Sequence, residues 1–287
     1  MIAVFKHELA NYFHSLTAYI FGAFLLLFVG IGSMLYNIQS SVANFEYVLS
    51  FVSIVFVIIV PILTMKVIAE ERKQKTDQLL YSLPIKTTSV VIGKFCALLV
   101  IFLIPVAITA VYPAIFSQFG DVYLLTSYGS LLAFFIMGAA LISIGMFISC
   151  LTENLGLAAG IGVVVILFNY YSVTLADYIS ATALGSAIAL AVIAIIIGVI
   201  VRFITKSTYA GVIVGMILII GLAVMYLVDS TIFEGLLSDI MKALSLFERF
   251  SDFVNGVFDL TGIIFYLTVI GLFLFLSVQS LEKRRYN

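Results

Sequence analysis

Long runs of apolar residues, separated by short polar segments, recur along this chain of 287 residues. The chain is 63% hydrophobic and only 10% charged, whereas a soluble domain is roughly half apolar and about a quarter charged. Each run is about 20 residues long, which is the length of helix that crosses the hydrocarbon core of a bilayer. The runs therefore predict an all-α membrane protein, a polytopic helical bundle.

Eight apolar runs have the length of a membrane span, and together they predict a single transmembrane domain over residues 1–287. The predicted spans are 16–36, 47–66, 90–116, 125–150, 155–176, 182–204, 207–228 and 261–280. No cleavable signal peptide is expected before the first of them, because charged residues precede the first long apolar run and no small-residue cleavage site follows it.

The basic residues indicate which side of the membrane each loop faces, because Lys and Arg are enriched in cytoplasmic loops. With the N-terminus inside, only Lys242 and Arg249 among the 14 Lys and Arg residues fall on an outer segment. An even number of spans then returns the C-terminus to the same side. Both termini are therefore predicted to be cytoplasmic.

Two segments outside the spans carry apolar residues at roughly helical spacing. Residues 1–15 are predicted to form an interfacial helix at the inner leaflet. Residues 229–260 are predicted to form an outer amphipathic segment, although a partly buried loop without a role of its own also fits the pattern.

The most charged stretch lies between the second and third predicted spans. Residues 70–77 carry six charged side chains and cannot lie in hydrocarbon, so a solvent-facing element is predicted within a cytoplasmic loop at 67–89. Glu71 and Lys75 are four residues apart in the favourable order, which favours an exposed helix. Leu79 and Leu80 then need cover, from lipid or from another protein. A solvated loop that only obeys the charge rule is the simpler alternative.

Several kinds of site are missing from the sequence. Gly93-Lys94 is followed by Phe95, so the phosphate-binding pattern of ATP-binding proteins is absent and no cofactor is expected on this chain. The His7-Glu8 pair lacks a second His at the spacing of a zinc helix, so no metal is expected. A net charge of −1 gives no basis for binding nucleic acid.

No Asp, Glu, Lys or Arg lies in the middle of a predicted span. Lys94 and Arg202 lie near inner ends, where their side chains are expected to reach the interface. Ion-driven transporters usually need a buried ionisable group, so a proton- or sodium-driven carrier is disfavoured. If the chain supports uphill transport, the energy must come from a partner.

Polar and small residues within the spans allow two interpretations each. Asn169, Tyr170 and Ser172 are candidates for lining a substrate path, but a hydrogen bond to a neighbouring helix is an adequate and simpler explanation for Asn169. Gly211 and Gly215 permit the close approach of another helix, either within the chain or across a subunit interface.

Four stretches resemble one known family, and they occur in its order along the chain. Residues 69–84 (AEERKQKTDQLLYSLP), followed by Gly93-Lys94, are similar to the inner-loop signature of ABC-2 exporter permeases. The N-terminal FKHEL of residues 5–9 and the SCLTEN of residues 149–154 also match. The FVNGVFDL of residues 253–260 and the final LEKRR resemble the gliding-motility-type permeases.

The resemblance implies a permease subunit of an ATP-driven exporter, with a six-span core and an extra two-span hairpin near 182–228. A coupling role would fall to Glu70, Glu71, Arg72, Lys75, Thr76, Leu79 and Leu80. These residues would rest on a separate ABC ATPase that carries ATP and Mg²⁺. A second permease subunit, identical or different, would complete the transporter in the cell membrane, the bacterial cytoplasmic membrane being the expected one.

Two other classes of function compete with this interpretation. A membrane anchor or scaffold would recruit soluble partners without moving a substrate. A membrane-embedded enzyme, such as a lipid transferase, would need convergent polar residues at one depth, and the spans supply few. The sequence does not choose among lipid, peptide, drug and glycan as a substrate.

Overall fold

The computed structural model describes residues 1–76, 86–178, 182–205 and 207–285. Within these ranges the chain is helical and contains no β-strand, which confirms the all-α prediction for this part. The α-helices are α1 (Ile2–His14), α2 (Leu16–Gly32), α3 (Glu46–Ser53), α4 (Phe56–Thr64), α5 (Ala69–Lys73), α6 (Thr87–Thr109), α7 (Val111–Phe116), α8 (Leu124–Leu151), α9 (Leu155–Tyr178), α10 (Ala183–Thr205), α11 (Thr208–Val228), α12 (Leu236–Leu244), α13 (Leu246–Val254) and α14 (Leu260–Arg285). A π-helical segment, Ser33–Gln39, extends α2, and a 3₁₀ helix, Ser230–Phe233, precedes α12.

Six helical segments of the described ranges are long and apolar enough to cross a membrane. They are Leu16–Gln39, Thr87–Phe116, Leu124–Leu151, Leu155–Tyr178, Gly211–Val228 and Leu260–Arg284. The apolar pair α3 and α4 is bent by 60° and makes a seventh if it is one broken span. In α10 the apolar part, Ala183–Ile196, is shorter. The chain is a multi-pass membrane protein, while the count of eight spans and the orientation of the termini stay predictions.

The helices group into two compact units. The first unit contains Met1–Tyr170 and Arg249–Asn287, and the second contains Tyr171–Glu248. The first unit therefore holds α1 to α8 and α14, and the second holds α10, α11 and α12. Helices α9 and α13 are each divided between the two units, and Phe250 on α13 belongs to the first. The single transmembrane domain over residues 1–287 stays a prediction.

Aromatic side chains fill the middle of the first unit around α8. The ring of Phe134 on α8 lies 4.6 Å from that of Phe56 on α4 and 5.9 Å from that of Phe250 on α13. The ring of Phe56 also lies 5.6 Å from that of Phe102 on α6. All four side chains are buried. Large apolar rings buried in this way contribute strongly to stability, and they fix α4, α6 and α13 around α8.

Two glycines of α8 set how closely its neighbours approach. A Cβ at Gly138 would lie 2.4 Å from the ring of Phe102 on α6. A Cβ at Gly145 would lie 2.3 Å from Oγ1 of Thr64 on α4. Small residues of this kind allow membrane helices to pack with their backbones close together. The end of α4 and the part of α6 around Phe102 are therefore packed closely against α8.

In the second unit, α10 and α11 form a closely packed hairpin. A Cβ at Gly211 would lie 2.5 Å from the carbonyl oxygen of Gly198, and a Cβ at Gly198 would lie 3.2 Å from Cα of Gly215. The structure therefore places Gly211 and Gly215 at a helix contact within the chain, one of the two interpretations of their spacing. The outer segment predicted at 229–260 forms the 3₁₀ helix, α12 and α13, as its helical spacing predicted.

Candidate functional site

A buried lysine joins three parts of the first unit. Lys94 lies two turns into α6 and is only 2% exposed. Its Nζ lies 2.7 Å from Oε1 of Glu8 on α1 and 2.8 Å from Oε1 of Glu71 on α5. It also donates a hydrogen bond to the backbone oxygen of Val67 at 3.0 Å. The three contacts match the three N–H donors of an ammonium group, so the cluster of Glu8, Glu71 and Lys94 is satisfied around its cation.

The residue before this lysine explains why α1 lies so close to α6. A Cβ at Gly93 would lie 3.2 Å from the carbonyl oxygen of Met1 and 3.2 Å from Cβ of Val4. A larger side chain at this position would push α1 away and lengthen the Glu8–Lys94 contact. Gly93 therefore leaves the space that α1 occupies beside α6, and Lys94 holds α1 there through Glu8.

A buried tyrosine makes a second contact between α1 and the bundle. Tyr12 is buried, and its hydroxyl donates a hydrogen bond to the backbone oxygen of Leu63 at 3.2 Å. Burial first, and then the negative charge of Glu8, raise the pKa of Tyr12 well above its ordinary value. The hydroxyl therefore remains a neutral donor at physiological pH. It fixes α1 to the end of α4.

The start of α5 is fixed to the end of α8 by a serine. The Oγ of Ser149 accepts hydrogen bonds from the backbone N–H groups of Ile68 at 3.2 Å and Ala69 at 3.0 Å. The same hydroxyl donates to the backbone oxygen of Met65 at 3.1 Å. One side chain thus satisfies backbone groups on both sides of the break between α4 and α5, where helical hydrogen bonds are missing.

Replacing Ser149 by alanine is expected to lower the free energy of unfolding by about 2 kcal/mol, because two buried N–H groups would lose their acceptor. Thermal unfolding followed by circular dichroism in nanodiscs measures the loss. Ser117→Ala is the matched control, since the Ser117 hydroxyl is exposed and bonds only to Ala114 within its own turn. Equal unfolding temperatures for the two variants would contradict this role of Ser149.

An arginine of the charged stretch also contacts α8. Arg72 is 3% exposed, and its guanidinium donates to the backbone oxygen of Cys150. The hydroxyl of Ser280 on α14 donates to the same oxygen at 3.4 Å. The last carbonyls of a helix lack partners within the helix, so Arg72 and Ser280 supply donors where α8 ends. The expectation that the whole charged stretch faces solvent is wrong for Arg72, because this contact buries it.

The charged helix α5 is short and ends in a left-handed turn. Thr76 donates its backbone N–H to the carbonyl oxygen of Glu71 at 2.9 Å, and Lys75 donates to that of Arg72 at 3.1 Å. These are the two hydrogen bonds of a Schellman cap, and Lys75 has the positive φ of 57° that the cap requires. The predicted helical spacing of Glu71 and Lys75 is therefore wrong, because Lys75 lies beyond the helix end.

The predicted coupling residues fall into three environments. Glu70 and Glu71 are half-buried, Arg72 is buried, and Lys75 and Thr76 are exposed. Leu79 and Leu80 belong to residues 77–85, which lie outside the described residues. The structure brings Glu71 together with Glu8 and Lys94, which were not among the predicted site residues. The expectation that Lys94 reaches the interface is wrong, because two carboxylates hold it inside the protein.

Residues 149–154, which match the family pattern, lie where α8 ends and α9 begins. Oδ1 of Asn154 accepts hydrogen bonds from the backbone N–H groups of Gly156 at 2.9 Å and Leu157 at 3.3 Å. This is the capping arrangement that Asn favours at the start of a helix. The start of α9 is therefore held by local hydrogen bonds. Ser149, whose hydroxyl bonds the backbone between α4 and α5, is the first residue of this stretch.

A family model described as an ABC-2 family transporter protein matches residues 2–183, more than half of the chain. This protein belongs to the ABC-2 transporter family. It is a transport permease, the membrane-spanning part of an ABC transporter. The match runs from α1 to the start of α10 and so includes the Glu8, Glu71 and Lys94 cluster and Ser149. No curated protein matches the chain.

In this ABC-2 permease the cluster forms the floor of a polar pocket of about 580 Å³. The pocket is lined by His7, Glu8, Asn11, Tyr12, Ser15, Lys66, Val67, Glu70, Glu71, Gln74, Thr76 and Lys94. These residues come from α1 and Ser15 after it, from the α4–α5 junction, from α5 and the turn at 74–76, and from α6. The N-terminal helix and the charged stretch therefore form one continuous surface, which the sequence presents as two separate segments.

The residues predicted to line a substrate path lie on α9 of the permease. Ser172 is buried, and Asn169 and Tyr170 are half-buried. The polar pocket beside α5 is lined by other residues. A role of Asn169, Tyr170 and Ser172 in substrate movement remains a prediction.

Proposed function

We propose that this permease is the membrane subunit of an ATP-driven exporter and that a separate ABC ATPase docks on its charged segment. The docking surface would consist of the exposed part of α1, α5 and residues 74–85. The observation that supports this proposal most strongly is the buried Lys94, which bonds α1 and α5 to a membrane helix at the same point. A loop that served only as a connection would not need this contact.

The contacts around α5 supply a route for movement into the bundle. Lys94 connects α1 and α5 to α6, while Ser149 and Arg72 connect the start of α5 to α8. The close contacts at Gly138 and Gly145 then link α8 to α6 and α4. Because closely packed protein interiors transmit displacements, a shift of α5 would move the ends of α4, α6 and α8 together.

The other parts of the transporter follow from the family. ATP and Mg²⁺ would bind to the ATPase subunit, and a second permease subunit, identical or different, would complete the pathway. The membrane would be the bacterial cytoplasmic membrane, with both termini of this chain inside. The resemblance of residues 253–260 supports placement among the gliding-motility-type permeases. The described spans are mostly apolar, which suits a lipid or another amphipathic substrate and does not select one.

Placing a charge in the apolar part of the charged segment is expected to release the ATPase. Leu80→Asp would place a charge on the docking surface and leave the Glu8, Glu71 and Lys94 residues unchanged. We expect at least a tenfold loss, roughly the effect of burying one mispaired charge at an interface, of an ABC ATPase that co-purifies with the tagged permease from native membranes. Quantitative mass spectrometry of the captured proteins measures the loss.

Leu244→Asp is the matched control, because Leu244 is an exposed leucine at the end of α12, outside the docking surface. This variant should retain the ATPase. Addition of Glu71→Arg to Leu80→Asp should abolish capture, provided that the double variant still elutes as a single species. Undiminished capture by the double variant would rule out docking at this segment.

A further inference from the structure

A buried glutamate lies at the opposite end of the first unit from Lys94. Glu46 is the first residue of α3, and it is 1% exposed. Neither of its carboxylate oxygens has a hydrogen-bond partner among the described residues. A charged carboxylate without a partner is strongly unfavourable away from water. If the carboxylate of Glu46 is charged, it therefore needs a positively charged or hydrogen-bonding partner.

The helices themselves show that Glu46 is far along the bundle from the Lys94 cluster. Helix α2 begins beside the polar pocket that contains the Lys94 cluster, since Nζ of Lys66 in the pocket lining lies 3.2 Å from Oγ1 of Thr17. Its far end contacts α3, since a Cβ at Gly32 would lie 2.9 Å from Cγ1 of Val48. The site at Glu46 is thus distinct from the docking surface.

Other oxygens without partners belong to the segments that surround α3. The amide nitrogen of Asn37 donates to the backbone oxygens of Val42 at 2.7 Å and Asn44 at 3.5 Å, and its Oδ1 has no donor in the described ranges. The hydroxyls of Ser33 and Ser127 are also buried and without a partner there. Helix α3 contacts both the π-helical segment that carries Ser33 and Asn37 and the helix α8 that carries Ser127.

The backbone at this end of the bundle is also irregular. Helix α2 continues as the π-helical segment Ser33–Gln39, and Ser41 has a positive φ of 53°. Single π-helical turns occur frequently at functional sites.

The missing partner of Glu46 must be small. Because this single chain already buries Glu46, neither a lipid, a second permease nor an ATPase reaches it. One carboxylate among neutral oxygens balances one positive charge. The described residues contain no group of three or more His, Cys, Asp or Glu that could hold a metal ion, which disfavours zinc and other ions that need several such ligands. We propose that Glu46, with Asn37 and the hydroxyls of Ser33 and Ser127, binds a monovalent metal cation, sodium or potassium.

The cation would lock the junction of α2, α3 and α8, and this effect is measurable without transport. Wild-type permease in nanodiscs is unfolded thermally in choline chloride and then with increasing sodium or potassium chloride at constant ionic strength. We expect a saturable rise of the unfolding temperature by about 2 to 6 °C with the bound ion. Glu46→Gln should unfold at the same temperature in all three salts, because the neutral amide does not need a cation. Glu234→Gln, at an exposed glutamate, should behave as the wild type.

Equilibrium binding of radioactive ²²Na⁺, with unlabelled potassium as competitor, is the second readout. One ion per wild-type chain is expected, with about tenfold weaker binding in Asn37→Ala, the loss expected for one coordinating oxygen. This arm decides the proposal if Glu46→Gln does not fold. Absence of saturable binding to the wild type, or a cation-dependent shift that persists in Glu46→Gln, would overturn it.

Discussion

Replacing Lys94 by methionine is expected to lower the free energy of unfolding by about 3 to 5 kcal/mol, the usual cost of removing one partner from a buried ion pair. The substitution keeps an unbranched side chain but leaves Glu8 and Glu71 close together without a cation. The unpaired charge costs more free energy at Glu8, because its side chain is only 10% exposed. The side chain of Glu71 is 28% exposed and partly screened by water. Thermal unfolding in nanodiscs, followed by circular dichroism, measures the change.

Two further variants separate charge from side-chain packing at this site. Lys73→Met removes an exposed lysine from the same helix as Glu71 and should change stability by about 0.5 kcal/mol or less. The triple variant Lys94→Met, Glu8→Gln, Glu71→Gln should recover most of the loss, because no unpaired charge remains. If Lys94→Met alone unfolds like the wild type, the buried ion cluster does not stabilise the protein.

Replacing Gly138 by valine is expected to cost about 3 kcal/mol or more, at the upper end of the cost of overpacking a core. Even a single Cβ at this position would lie 2.4 Å from Cε1 and Cζ of Phe102 and 3.3 Å from Cζ of Phe56. Both rings are fully buried, so neither can move into solvent. The contact between α6 and α8 would open, and the unfolding temperature measured in nanodiscs would fall.

A compensating change tests whether this contact is the cause. Phe102→Leu removes the end of the ring that the new side chain would strike, so Gly138→Val with Phe102→Leu should be more stable than Gly138→Val alone. Gly22→Val is the control, because a Cβ at Gly22 would have no neighbour within 4 Å. Equal losses at Gly22 and Gly138 would show that glycine itself, and not the contact with Phe102, matters.

Local patterns in the sequence predict the helices well and their tertiary contacts poorly. Apolar runs of span length recur as α2, α6, α8, α9, α11 and α14, because burial in lipid is decided by composition over about 20 residues. The 60° bend between α3 and α4 and the two compact units have no counterpart in this composition. The apolar pattern carries no signal for them, since lipid-facing and helix-facing residues are equally hydrophobic.

The candidate site shows the same division. The density of charge at residues 70–77 predicts a solvent-facing element. Lys75 and Thr76 are exposed in the structure, whereas Glu70 and Glu71 are half-buried. The prediction that Lys94 reaches the interface was wrong, although a lysine near a span end usually does extend there. Its burial requires Glu8, which is 86 residues away in sequence. The Gly93-Lys94 pair of the family signature was the one signal that pointed to it.

The most direct test of the proposed coupling role is the ATP turnover of the assembled transporter with the charge-free cluster. The permease that carries Lys94→Met, Glu8→Gln and Glu71→Gln is reconstituted with its ATPase in nanodiscs and compared with the wild type. We predict that the ATPase still binds through residues 74–85, but that the part of its turnover that depends on the permease is lost. Permease-dependent turnover equal to that of the wild type would contradict transmission through Lys94.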